Sequence, residues 1–104
     1  MESKKLNIVH FNDCYELDMA AKFVKKFRSY DSYNPLRLFS GDVFSPSIAS
    51  NFFFGEHMVQ PLANLDLHVS CVGNHDYDFG VDHLSGLIGK LNFPWLLSNL
   101  KWKD

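Results

Sequence analysis

Three short stretches of the chain carry side chains that can do chemistry. Asn12-Asp13 follows the partly apolar run Leu6–His10, and Gly41-Asp42 follows Leu36–Ser40. The third stretch, Gly73-Asn74-His75-Asp76-Tyr77-Asp78-Phe79-Gly80, follows Leu67–Val72. Each time an apolar run ends in a carboxylate or an amide and a helical pattern comes next. Open α/β sheets do their chemistry at the carboxyl ends of their strands, so Asp13, Asp42 and Asn74 can converge there. Their oxygens are hard ligands, suited to Mg, Mn or Zn rather than to a thiolate metal. A carboxylate set between two metals can bridge them, and paired metals about 3.5–4 Å apart suit phosphoryl transfer. His75 adjoins Asn74 and could donate a proton or hydrogen bond to a phosphate oxygen or leaving group. Asp78, three residues on, could orient that imidazole.

Each of these residues also has a plainer reading. Asp and Asn after glycine are common turn residues, and only their repetition in register turns Asp42 and Asn74 into ligands. Asp78 could instead cap the helix that follows. Asp76 and Asp82 read as cap and surface carboxylates. His10 reads as a strand-end structural histidine, and His57, His68 and His83 as surface or helix-face residues. Tyr15 could ligate a metal, hydrogen-bond a ligand or pack over its loop. Phe52-Phe53-Phe54 reads as core rather than as a base-stacking platform.

The elements that would position these groups alternate in type. Strands are expected at Leu6–His10, Leu36–Ser40, Leu67–Val72 and Trp95–Ser98. Asp18 can cap a helix running to about Arg28, with Ala20, Phe23, Val24 and Phe27 as its apolar stripe and Lys22, Lys25 and Lys26 outward. Asn12 to Leu17 forms the turn before it. Ser45-Pro46 reads as a helix start, N-cap then proline, and Gly55 as its stop. A second helical piece spans His57–Leu65, with Pro61 tolerable only in a first turn. The last helix, about Val81 to Leu91, turns Leu84, Leu87, Ile88 and Leu91 inward. The β-α-β-α-β-α-β order implies an α/β fold with a parallel sheet of about four strands flanked by helices, joined by right-handed crossovers.

Bulk properties narrow the classes further. A chain of 104 residues is one small domain at most, and 46% hydrophobic residues allow a core. Ten phenylalanines are many for this length, so some could face a partner. A net charge of −2 makes no electrostatic case for nucleic acid or an anionic membrane. No run approaches transmembrane length and no apolar leader stands at the N-terminus, so a cytoplasmic location is expected. Cys14 and Cys71 make no disulfide framework; Cys71 reads as a strand core residue. The doubly wound pattern lacks the Gly-x-Gly-x-x-Gly and Gly-Lys-Ser/Thr loops of a plain nucleotide-binding domain.

Taken together, His10-Phe11-Asn12-Asp13, Gly41-Asp42, Phe44-Ser45-Pro46-Ser47, Gly73-Asn74-His75-Asp76 and Phe93-Pro94-Trp95-Leu96-Leu97-Ser98-Asn99 resemble the calcineurin-like metallophosphoesterases. More narrowly they resemble the 5'-nucleotidase / 2',3'-cyclic phosphodiesterase branch. The resemblance implies the first half of an αββα sandwich, residues 1–104 being an N-terminal part of that catalytic domain with no second domain present. It implies two divalent metal ions and a nucleotide or other phosphate ester as substrate. By motif Asp13 would bind one metal, Asp42 would bridge both, Asn74 would bind the other, and His75 and Asp78 would be the catalytic pair. Two departures accompany it. The usual Asp-x-His is Asp13-Cys14-Tyr15 here, and the downstream histidine ligands and nucleoside domain of the family lie beyond these residues. Weak activity, a missing C-terminal part or self-association, and a non-catalytic role binding a partner, a nucleotide or a metal follow as expectations.

Overall fold

β1 (Ile8–Phe11), β2 (Leu36–Phe39), β3 (Val69–Cys71) and β4 (Trp95–Leu96) form a single sheet in the order β1-β2-β3-β4. Every pairing is parallel, with Ile8 opposite Leu36, Phe39 opposite Ser70 and Ser70 opposite Trp95. The computed structural model describes residues 2–16 and 18–101; the end of the expected turn at Leu17 and the last three residues lie outside them. The α/β architecture with a four-stranded parallel sheet is the one the alternating pattern implies.

Between the strands run α1 (Ala20–Arg28), α2 (Ile48–Phe53), α3 (Val59–Ala63) and α4 (Val81–Ile88). Right-handed crossovers between strands that succeed one another in space put every helix on one face of the sheet. Burial follows that geometry. Val9 and Phe11 of β1 pack on the core, and Phe39 of β2 is 2% exposed. The alternate residues face away: Ile8 and Leu96 are exposed, and Leu36, Leu38 and Val69 are half-buried. Cys71 lies on this open face and is exposed, so it is not the core residue its apolar surroundings suggest. The alternation is correct, but only one of the two faces has helices over it.

Aromatic rings fill the covered side. Phe11 stacks on Phe39 at 4.6 Å between centroids and meets Phe23 and Phe27 of α1 edge-on. Trp95 lies between Phe39, Phe44 and Phe93. These contacts fix α1 and the β2–α2 loop over the strand ends. At the other end of β2, the Arg37 guanidinium joins Asp66 at 2.7 Å and Asp31 at 3.5 Å.

Several boundaries differ from the pattern. α1 begins at Ala20 behind Met19 with no side-chain cap, so Asp18 does not cap it. α2 is capped by Ser47, not Ser45: Ser47 and Ser50 exchange side-chain and backbone hydrogen bonds, and the Ser45-Pro46 peptide is cis. The expected piece from His57 is a short 3-10 turn, Glu56–Met58, leading into α3, with Pro61 in the first turn as its ring requires. β4 ends at Leu96 and α4 at Ile88. Phe52, Phe53 and Phe54 are exposed, Phe52 by 73%, which overturns their assignment to the core. Phe52 and Phe53 point about 100° apart on α2 and Phe54 is its left-handed C-cap, so no single core-facing stripe takes all three.

Candidate active site

The site is built where β1, β2 and β3 end. Past Phe11 the chain leaves the ladder, and the amides of Asp13 and Cys14 bond to the carbonyls of Gly41 and Asp42 at 3.1 and 3.0 Å. The Asp13 and Asp42 loops therefore run side by side. Both aspartates have positive φ, 54° and 65°, a conformation Asp tolerates better than most residues. Gly41, at φ 102°, touches the next loop: a Cβ there would lie 2.5 Å from the Gly73 nitrogen. The reverse contact is closer still, since a Cβ on Gly73 would lie 2.1 Å from Asp42 Oδ1. The Asp42 carboxylate thus occupies the space that a side chain at Gly73 would need. From the other side the His75 amide donates to Asp42 Oδ1 at 2.8 Å. Asp13, Asp42 and Asn74 stand at the ends of three adjacent strands, with Asp42 in the middle.

Around these residues lie two local hydrogen-bonded sets. Asp13 Oδ1 accepts the Tyr15 hydroxyl at 2.7 Å, and Oδ2 accepts the Asn12 side-chain amide. The Tyr15 hydroxyl thus bonds to a carboxylate of its own chain, a partner that none of its readings named. Those two donors, Tyr15 foremost, hold the Asp13 carboxyl below its ordinary range, and the nearby His75 acts in the same direction. The same bond raises the Tyr15 phenol, assisted by burial and by the charges of Asp42, Asp13 and Asp76. In the second set, His75 Nδ1 meets Asp78 Oδ2 at 3.1 Å, and Ser45 Oγ donates to that same oxygen at 2.7 Å. The Ser45 hydroxyl, and after it His75, lower the Asp78 carboxyl against the opposing pull of burial. Asp78 thus makes a partner for His75 rather than a cap for α4, whose N-cap is Gly80.

Asp76 is a further correction. It is neither a cap nor a surface carboxylate but 2% exposed. Its Oδ1 accepts the amides of Val43 and Phe44, and its Oδ2 those of Asp42 and Gly73. Ser45, read from the sequence as a helix start, also contributes here through its bond to Asp78. The remaining histidines stand apart from the strand-end carboxylates. His10 pairs with Ser40 on the open sheet face, His68 Nδ1 accepts the Arg37 amide, and His83 meets the Phe54 carbonyl. His57 is the half-buried helix-face residue of the two readings open to it, in the turn Glu56–Met58, and reaches the Tyr15 carbonyl at 3.4 Å.

The donor chemistry here fits a hard divalent cation: two carboxylates and an amide oxygen on adjoining loops. Among the described residues, however, no group of three or more His, Cys, Asp and Glu is arranged to hold a metal ion. Any such set would therefore need Asn74 beside the two carboxylates. Among the described residues, too, no helix is long and apolar enough to cross a membrane.

An open parallel α/β sheet with acidic and imidazole groups at its strand ends is a class that hosts many activities. No family model matches the chain. Among curated proteins it is similar to the snake venom 5'-nucleotidase of Gloydius brevicauda, 32% identical over 96 residues, and to that of Crotalus adamanteus, 31% identical over 96 residues. In both cases 88% of this chain is aligned. The chain spans 16% of the length of the curated relatives it matches.

Proposed function

We propose that this site belongs to a metal-dependent phosphoester hydrolase of the 5'-nucleotidase kind, acting on a nucleotide or a related phosphate ester. The observation that carries the reading is the Ser45–Asp78–His75 relay beside Asp42, on a chain similar to 5'-nucleotidases. Asp78 accepts from Nδ1 of His75, which leaves Nε2 to face a substrate. In its protonated form His75 donates from Nε2 to a phosphate oxygen or the leaving group. Asp78 accepts the Nδ1 hydrogen bond and so holds the ring's orientation, and Ser45 holds Asp78. Asp13, Asp42 and Asn74 would hold one or two divalent cations, and a bound cation would supply charge stabilisation at the phosphoryl oxygens. Three donors leave most positions of two cations to water, so weak metal binding and slow turnover go with this reading.

The experiment is hydrolysis of AMP and of an aryl phosphate by the purified chain with Mn, Zn or Mg, with and without chelator. Expected is metal-dependent release of phosphate at well under about 1 per second, the low end of ordinary turnover, and its loss in His75→Ala. Absence of any metal-dependent turnover together with absence of Mn binding would overturn the proposal.

A second reading is a partner-binding domain without turnover. The open sheet face bearing Ile8 and Leu96 favours it. Stable one-to-one assembly with another polypeptide, combined with an inert site, would select this reading.

A further inference from the structure

Four amides converge on one buried carboxylate. Those of Asp42, Val43 and Phe44 come from the β2–α2 loop, and that of Gly73 from the loop after β3; their distances to Asp76 are 2.9, 2.9, 3.2 and 2.9 Å. All four lie beyond the last ladder residues of their strands, Phe39 and Cys71, so the sheet does not provide their acceptors. Successive amides that point inward form a concavity of the kind that binds anions. Here the chain fills it with its own side chain. A substrate phosphate must therefore be received elsewhere.

The bonds run in both directions between the loops. The Asp42 amide donates to Asp76, and the His75 amide donates to Asp42 Oδ1 at 2.8 Å. The latter bond holds the Asp42 carboxylate in a fixed orientation. Gly41 and Gly73 permit this closeness, since a Cβ on either would collide with the opposite loop. We propose that Asp76 is the positioning residue of this site, holding residues 41–44 against Gly73 and, through that backbone, directing the Asp42 carboxylate and fixing where Asn74 stands. Its consequence for a metal rests on the reading of Asp13, Asp42 and Asn74 as ligands; its consequence for the backbone does not.

Asp76→Asn keeps the shape and removes an acceptor. Whichever way the amide is turned, its NH2 group faces two backbone donors, and two of the four bonds are lost. The test uses the full chain, this variant, and Arg37→Ala, which loosens the fold at the opposite end of the strands. Each is measured equally far below its own Tm. Amide hydrogen exchange reads the backbone, and Mn titration reads the ligands. In the wild type the amides of Asp42, Val43, Phe44 and Gly73 should be protected as one group, although they belong to loops. In Asp76→Asn these amides and that of His75 should exchange at least about tenfold faster while those of Val9 and Leu38 hold, and Mn affinity should fall by roughly 10–100-fold. Arg37→Ala should change neither. Unchanged protection of His75 in Asp76→Asn, or an equal loss of Mn affinity in both variants, overturns the proposal. Where Asp76→Asn does not fold, the wild type decides: loop amides that exchange as fast as open ones overturn it. A wild type that takes up no Mn defeats the metal reading alone, and the exchange data still judge Asp76.

Discussion

The Tyr15 hydroxyl donates to Asp13 Oδ1 at 2.7 Å, across the single residue Cys14. A position where a histidine would resemble a ligand motif is thus occupied by a phenol that acts on the neighbouring carboxylate. The bond favours the ionised carboxylate and the protonated phenol, which is why the two groups shift in opposite directions. Tyr15→Phe should raise the Asp13 carboxyl towards its ordinary value of 3.8, read by following its side-chain carbon through a pH titration. Asp13 and Asp78 are both lowered on folding, so each supports the fold above pH 3.8 and loses that support as pH falls through its own lower value. Acid unfolding of Tyr15→Phe should accordingly lose the part of its pH dependence that lies below 3.8 and belongs to Asp13. An unshifted Asp13 titration in the variant would show that the hydroxyl is not its main partner.

His75 and Asp78 predict a graded series. His75→Ala should lower turnover by roughly 10²-fold or more, the low end for loss of a positioned acid or base, with bound metal changed far less. Asp78→Asn should lower it less, because the ring can keep its place but exchanges a charged partner for a neutral amide. Ser45→Ala should have the smallest effect and should raise the Asp78 carboxyl, since Ser45 is the main cause of its lowering. Turnover and metal content measured on the same samples check the order. Equal loss of metal and activity in His75→Ala would remove its role at the phosphate.

Phe39 lies in the core and Phe52 on the surface. Phe39, stacked on Phe11 and edge-on to Trp95, should cost about 3–5 kcal/mol when cut to alanine. Phe52→Ser should change stability by no more than about 0.5 kcal/mol, as for an ordinary surface position. Urea unfolding of both variants is the measurement. A large loss in Phe52→Ser would mean that the exposed ring is covered in solution.

Gly41→Ala combines two costs, a left-handed φ of 102° and a Cβ placed 2.5 Å from the Gly73 backbone. Backbone cannot swing aside as a flexible side chain can, so the loss should exceed about 3 kcal/mol, beyond the usual range of single substitutions. The unfolding midpoint reads it. A near-neutral Gly41→Ala would mean that the β1, β2 and β3 loops are not packed as closely as they stand here.

Much of this molecule was legible because its signals are local. An apolar run, a carboxylate and a helical stripe repeat within about thirty residues, as a βαβ unit requires, and they put Asp13, Asp42 and Asn74 at strand ends. His75 and Asp78 lie in one turn, so their spacing alone suggested the pair. Asp76 was missed because its partners Asp42, Val43 and Phe44 come from a loop more than thirty residues earlier. No spacing in one sequence encodes that; the only hint was a second carboxylate, beside Asp78, between two glycines. Cys71 was misread because alternation names two faces without saying which has helices over it. Ser45-Pro46 lost to Ser47, whose reciprocal bond with Ser50 satisfies the helix start two residues later. That Phe52–Phe54 could not all be core was available in principle, since two neighbours on a helix and its C-cap do not share one stripe.

The uncovered face of the sheet yields the last prediction. Ile8 is 54% exposed and Leu96 is 47% exposed, at opposite edges of the sheet, with Leu36, Leu38 and Val69 half-buried between them. Contiguous apolar surface of this kind seeks a cover. Parallel sheets occur almost entirely with both faces covered, because their strands carry apolar residues on each side. His10 and Ser40 add only one polar pair to the face, and they satisfy one another at 2.7 Å. The chain on its own should therefore self-associate as its concentration rises. Ile8→Lys combined with Leu96→Lys should shift it towards monomer, because each charge would have to be desolvated in any apolar contact. Neither residue belongs to the core cluster, so the double variant should keep its fold, checked by circular dichroism. Light scattering across a concentration series reads the association. A wild type that stays monomeric at high concentration, or a double variant that associates as strongly as the wild type, would show that this face is not the adhesive one. Attention would then pass to the exposed aromatics of α2.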